Sequence, residues 1–167
     1  MKSNQAALIT VVLFLSINRL GASIDDYFYY EITPNASNYG NTGMLELPSA
    51  RFLDPASLRF SFSSSFPNEY TSITASPFEG FEATYRYTEI KNRKYGPQRF
   101  SGNQSLKDKS FDIHLRLLKE KLYLPSVALG LRDIGGTGIT SSEYIVASKS
   151  FGNFNFSSGL GFGLLGQ

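Results

Sequence analysis

From Ser57 onward, apolar and polar side chains alternate with a period of two, and no helical period is sustained in that stretch. Successive residues of a strand point to opposite faces, so this pattern prescribes a sheet with one apolar and one polar face. Leu58, Phe60, Phe62 and Phe66 alternate with Arg59, Ser61, Ser63 and Ser65. A Pro67-Asn68-Glu69 turn leads to a weaker strand of Thr, Ser and Ile over residues 70–76, and Pro77-Phe78-Glu79-Gly80 turns the chain again. Phe81, Ala83, Tyr85 and Tyr87 then oppose Glu82, Thr84, Arg86 and Thr88. Residues 91–109 are polar and read as a long loop. Phe111, Ile113, Leu115 and Leu117 oppose Asp112, His114 and Arg116; Val127, Leu129 and Leu131 oppose Ala128, Gly130 and Arg132. Residues 143–151 form a further strand. After a Gly152-Asn153 turn comes the last, with Phe154, Phe156, Leu160, Phe162 and Leu164 against Asn155, Ser157, Gly159, Gly161 and Gly163. The expectation is an all-β fold of about seven antiparallel strands over residues 57–167.

Two architectures fit such a sheet. A soluble sandwich or barrel turns the apolar face inward; a transmembrane β-barrel turns it outward to lipid around a polar lumen. Three features favour the barrel. Residues 1–23 read as a signal peptide, with Lys2, an apolar run over residues 6–17 that is shorter than the ~20 residues of a spanning helix, and small residues at Gly21, Ala22 and Ser23. The polar face carries small or charged residues, and a row of glycines there only weakens a sheet exposed to water. Links are long after Thr88 and Arg132 and short at residues 77–80, 119–123 and 152–153, as in outer-membrane barrels. Tyr123 and Tyr144, near strand ends, would then sit in interfacial aromatic girdles. Residues 24–56 read as a periplasmic lead-in, extended or disordered in its first part where Pro34, Asn35, Asn38 and Gly40 break any regular pattern. Seven strands cannot close a single-chain barrel of even strand count, so the chain is expected to be the amino-terminal part of a larger one.

Composition narrows the chemistry. The chain has 167 residues, no cysteine and one histidine, His114. That removes disulfides, thiolate metal centres, thiol nucleophiles and a lipidated amino-terminal cysteine. A formal charge of +2 with dispersed basic residues gives no basis for nucleic-acid binding. No serine sits in a nucleophile elbow, and Gly135-Gly136-Thr137-Gly138 precedes no helix, so it reads as a flexible loop rather than a phosphate cradle. No catalytic residue, cofactor or metal is expected. The one constellation is electrostatic: Arg59, Arg86, Arg116 and Arg132 share the polar phase with Glu82 and Asp112, and Asp133 follows directly. Facing a lumen, these residues would favour an anionic permeant through bidentate hydrogen bonds. Paired across neighbouring strands, they would rigidify the wall instead.

Two stretches carry a resemblance. One is Gly40-Asn41-Thr42-Gly43-Met44-Leu45-Glu46-Leu47-Pro48-Ser49-Ala50-Arg51. The other is Leu129-Gly130-Leu131-Arg132-Asp133-Ile134-Gly135-Gly136-Thr137-Gly138, running on through Ser142-Glu143-Tyr144 and Val146-Ala147-Ser148-Lys149. Both resemble the YjbH family of exopolysaccharide-associated outer-membrane proteins, related to the GfcD capsule proteins. The resemblance implies a large outer-membrane β-barrel that assists polymer secretion, with membrane lipid, polysaccharide and other secretion proteins as partners. It brings no catalytic residues. Family members are several times longer and many are lipoproteins, from which the missing cysteine departs. Pro48, Ser49, Ala50, Arg51, Arg132, Asp133, Gly135, Gly136 and Gly138 become structural or lumen-facing candidates. Arg51 would bind a carboxylate or main-chain carbonyl, Gly40 and Gly43 would allow a tight backbone path, and Arg132-Asp133 would form an ion pair at the outer rim.

The expected role is therefore non-catalytic assistance to exopolysaccharide or capsule secretion from the bacterial outer membrane. A general porin or adhesin barrel and a soluble periplasmic glycan-binding β-protein are the competing readings. The barrel reading expects Phe60→Arg and Phe156→Arg to harm assembly and Ser61→Arg to be tolerated.

Overall fold

A computed structural model describes residues 34–166; the signal-peptide reading of residues 1–23 lies outside them. The body is a seven-stranded antiparallel meander in which each strand pairs with its neighbours in sequence. Its strands are β3 (Ser57–Ser65), β4 (Asn68–Ser76), β5 (Phe81–Lys94), β6 (Ser105–Leu118), β7 (Ser126–Arg132), β8 (Ser142–Phe151) and β9 (Phe154–Gly163). Ahead of them, β1 (Gly43–Met44) and β2 (Leu47–Pro48) form a small hairpin of their own. β3 and β9 are the two edges of the large sheet, which does not close on itself. The described residues contain no helix long and apolar enough to cross a membrane.

Nearly half of the loop expected over residues 91–109 is strand. β5 runs to Lys94 and β6 begins at Ser105, joined by a single helical turn, α1 (Gln98–Ser101), with a register shift between Ile90 and Lys94. This extension has no apolar phase for periodicity to detect, because Lys91, Asn92, Arg93 and Lys94 are all exposed. Both long connections, residues 95–104 and 133–141, lie at the end of the sheet where β3 ends. The other end carries residues 77–80, 119–125 and 152–153.

The faces are the inverse of a water-soluble sheet. Phe60 is 74% exposed, and Leu58, Phe62, Phe111, Leu117, Phe156 and Phe162 share its outward phase and its exposure. On the opposite face Arg86 and Thr74 are 0% exposed and His114 1%, with Glu82, Thr84, Asp112, Ser126 and Ser148 buried beside them. An apolar side chain left in water forgoes roughly 1.5–3 kcal/mol of burial, and an unpaired buried charge costs more. The polar face therefore needs a cover that supplies partners. Residues 34–53 provide it.

Candidate functional site

Instead of trailing away as an extended lead-in, residues 34–53 cross the polar face as a strap. Its route is set at Gly40, where φ is +90° and a Cβ would stand 1.8 Å from Ser72 Oγ and 2.5 Å from Ser72 Cβ. Only glycine combines that torsion with that approach. The Gly40 carbonyl accepts from Arg59 Nη2 at 2.9 Å and from Thr74 Oγ1 at 2.7 Å. Asn41 Nδ2 donates to Tyr144 Oη at 3.2 Å.

Tyr39 is the strap's largest buried group. Its ring lies 4.9 Å from the Arg86 guanidinium carbon, 4.5 Å from that of Arg132 and 5.2 Å from the Tyr70 ring. Each cation–π contact stabilises by ~0.5–2 kcal/mol, most when desolvated as here. Burial pushes the Tyr39 phenol above its ordinary range, so the ring stays neutral between the two cations. Phe52 repeats the arrangement further along, stacked on His114 at 4.2 Å with Arg116 over its other face at 4.6 Å. Ala50 and Phe52 join Ala128, Tyr144 and Val146 in a small apolar cluster, against which Leu165 folds back.

Glu82 ties the strap at two points. It accepts from Thr42 Oγ1 at 2.6 Å and from the Leu53 amide at 2.7 Å, with His114 Nδ1 at 3.4 Å. Farther on, the Ala50 amide donates to Ser148 Oγ and its carbonyl accepts from Ser126 Oγ. Arg51 binds a carboxylate, that of Glu120, and also reaches Ser150 Oγ and Asn155 Oδ1 at 2.7 and 2.8 Å.

The six polar-phase residues singled out from the sequence, and Asp133 after them, each have a partner on the covered face. Arg59 holds the Gly40 carbonyl, and Glu82 holds Thr42 and Leu53. Arg86 pairs with Asp112 at 2.6 Å and donates to Thr140 Oγ1. Arg116 meets Glu79 at 3.0 Å as well as Phe52. Arg132 reaches the Glu46 carbonyl and the Tyr39 ring. Asp133 accepts from Thr140, and its amide donates to Asp112. The pair expected between Arg132 and Asp133 is replaced by Arg86–Asp112; Asp133, at φ +57°, turns its carboxylate to Thr140, and Arg132 turns to Tyr39 and the Glu46 carbonyl. Glu82 and Asp112 have separate partners, His114 and Arg86.

Three further expectations change. Tyr144 does not stand in an outer girdle. It is on the inward phase of β8, 3% exposed, over Gly130, where an added Cβ would meet the ring at 2.0 Å. The Gly135–Gly138 turn is tied down, since Thr137 donates to Asp108 Oδ1 at 3.0 Å and Gly136 leaves no room for a Cβ beside Lys109. Residues 34–42 are ordered against the sheet, with Ser37, Tyr39, Asn41 and Thr42 buried. Tyr39 and Phe52 escaped notice because they lie in a stretch without periodicity. The one signal was Tyr39 directly before the Gly-Asn-Thr-Gly turn.

A model for a family described as exopolysaccharide biosynthesis protein matches residues 35–167, which include the strap and every strand of the sheet. The chain belongs to the YjbH family. An Escherichia coli (strain K12) protein named "Uncharacterized lipoprotein YjbH" is 42% identical over 156 residues. That alignment covers 91% of this chain and 22% of the relative, so the chain spans about a fifth of the length of this YjbH protein. No solved structure matches the chain.

Proposed function

We propose that residues 57–163 are part of the wall of an outer-membrane β-barrel that assists exopolysaccharide export without catalysis, its lumen side lined by the strap. The observation that carries this reading is the inverted polarity: phenylalanines and leucines outward, arginines and carboxylates inward around a polar cover. In water that arrangement leaves an apolar face without a partner. In a bilayer it presents an apolar band to acyl chains and keeps charges in the interior. Unequal connections at the two ends accord with short periplasmic turns and longer outer loops. Buried Nε atoms of Arg59, Arg86 and Arg132, together with Ser110 and Ser142 Oγ, have no protein partner and suit a hydrated interior. The two free sheet edges require further strands for closure, consistent with the greater length of the Escherichia coli relative.

Family membership links the chain to exopolysaccharide. The paired arginines then brace the wall and anchor the strap, and the strap fixes the shape of the passage for a hydrated polymer. Fractionation tests the placement: extraction from envelopes only by detergent supports it, and release by osmotic shock or carbonate defeats it. A deletion strain tests the role: loss of secreted polymer with small-solute uptake intact supports export, whereas lost uptake with normal polymer identifies a general porin.

A further inference from the structure

The β5–β6 hairpin extends beyond its neighbours at the end that carries the long connections, and the outward face changes character along it. On β6 the outward phase reads Leu117, Leu115, Ile113 and Phe111, and then Lys109 and Lys107. Phe111 is 55% exposed, and both lysines are exposed. The intervening Asp108 does not neutralise them, because it points to the opposite face, 2% exposed, and is bonded to Thr137. Glu69 pairs with Lys91, and Glu89, which accepts from Ser105 Oγ, stands opposite Lys107 in the register, so Lys109 is the lysine with no acid across the strand. Lys109 stands opposite Tyr87, whose phase continues downward through Tyr85 against Phe111.

From this juxtaposition we infer that Lys109, with Lys107 beside it, docks the phosphate of an anionic lipid headgroup whose acyl chains lie along Phe111, Tyr85 and Ile113. Alternate residues on one strand stand ~6–7 Å apart, so two ammonium groups converge on one headgroup directly above the apolar band. A lipid fits better than free phosphate because charge and apolar surface are contiguous on the same face. The inference rests on the reading of that face as lipid-facing.

The experiment reconstitutes the full protein into nanodiscs of phosphatidylcholine, with and without phosphatidylglycerol, and follows acylation of each lysine by mass spectrometry. Lys107 and Lys109 become about fivefold less reactive with the anionic lipid. Lys119 serves as the control: it lies ~33 Å from Lys109 at the other end of β6, far beyond the ~8 Å screening length at physiological salt, and is already paired with Glu79, so its rate is unchanged. Equal reactivity in both discs overturns the inference while leaving the barrel intact. Equal protection by soluble inorganic phosphate at matched concentration overturns the choice of a lipid. Failure of the protein to enter discs at all, with solubility in plain buffer, overturns both readings together. Lys107→Gln and Lys109→Gln, at exposed positions outside the strap contacts, should fold normally and lower the amount of phosphatidylglycerol that co-purifies.

Discussion

Leu115→Arg separates a lipid-facing sheet from a water-facing one. Leu115 lies on the outward phase of β6, 38% exposed, in register with Phe81 on β5 and Leu129 on β7. Along its strand and phase the nearest charged positions are Lys119, ~13 Å away, and Lys109, ~20 Å away. An arginine at position 115 therefore sits well inside the apolar band. In water such an exposed change costs no more than about 0.5 kcal/mol. At the middle of a bilayer it costs about 2–4 kcal/mol, roughly a 30- to 1,000-fold fall in the folded-to-unfolded ratio. The assay is urea titration of the protein refolded in vesicles, read by its resistance to unfolding on gel electrophoresis. Phe60→Arg and Phe156→Arg serve as edge-strand companions. A Leu115→Arg midpoint unchanged from the parent, in protein that still requires detergent for extraction, would refute the assignment of the outward face to lipid. The Ser61→Arg control suggested by alternation alone is replaced by Ser65→Arg. Ser61 Oγ bonds Ser72 at 2.6 Å beneath Gly40, so an arginine there collides with the strap, whereas Ser65 is exposed.

Gly40→Val should lift the strap, since the new side chain overlaps Ser72 at an unfavourable φ; limited proteolysis would show faster cleavage within residues 34–53. Tyr39→Ala should loosen the same segment by about 2–4 kcal/mol from two cation–π contacts and lost ring burial, while Tyr39→Phe keeps those contacts and stays near the parent in the same assay. Glu82→Gln weakens acceptance from Thr42 and Leu53 and removes the charge facing His114, and a loss of roughly 3 kcal/mol is expected from urea titration. Lys119, then Arg116, hold the exposed Glu79 carboxyl below its ordinary range. Its small contribution is present above the unfolded-state pKa and is lost as pH falls through the lower folded value, so Glu79→Gln should flatten the acid limb of a stability–pH profile.

The sheet was legible because period-two alternation is local. Phe81 to Thr88 states its two faces without reference to the rest of the chain, and the turns at Pro77-Gly80 and Gly152-Asn153 punctuate it. The polar-phase arginines and acids could be read off in the same way. What they bind could not, because their partners are far away in sequence: Asn41 meets Tyr144 across 103 positions, and Arg51 meets Asn155 across 104. The upper half of the β5–β6 hairpin was hidden for the opposite reason. Apart from the Ile90–Leu106 pair both its faces are polar, so pairing alone marks it as strand.

Alternation by itself determined that these residues form a two-faced antiparallel meander and which side chains share each face. It does not say which face is covered, since the same stripe of Phe and Leu suits a dry core or a hydrocarbon exterior. The tertiary structure decided this by laying Tyr39, Gly40 and Phe52 over the charged side. Buried arginines and carboxylates demand hydrogen-bonding partners, and the backbone and rings of that segment supply them in geometry that no local pattern encodes.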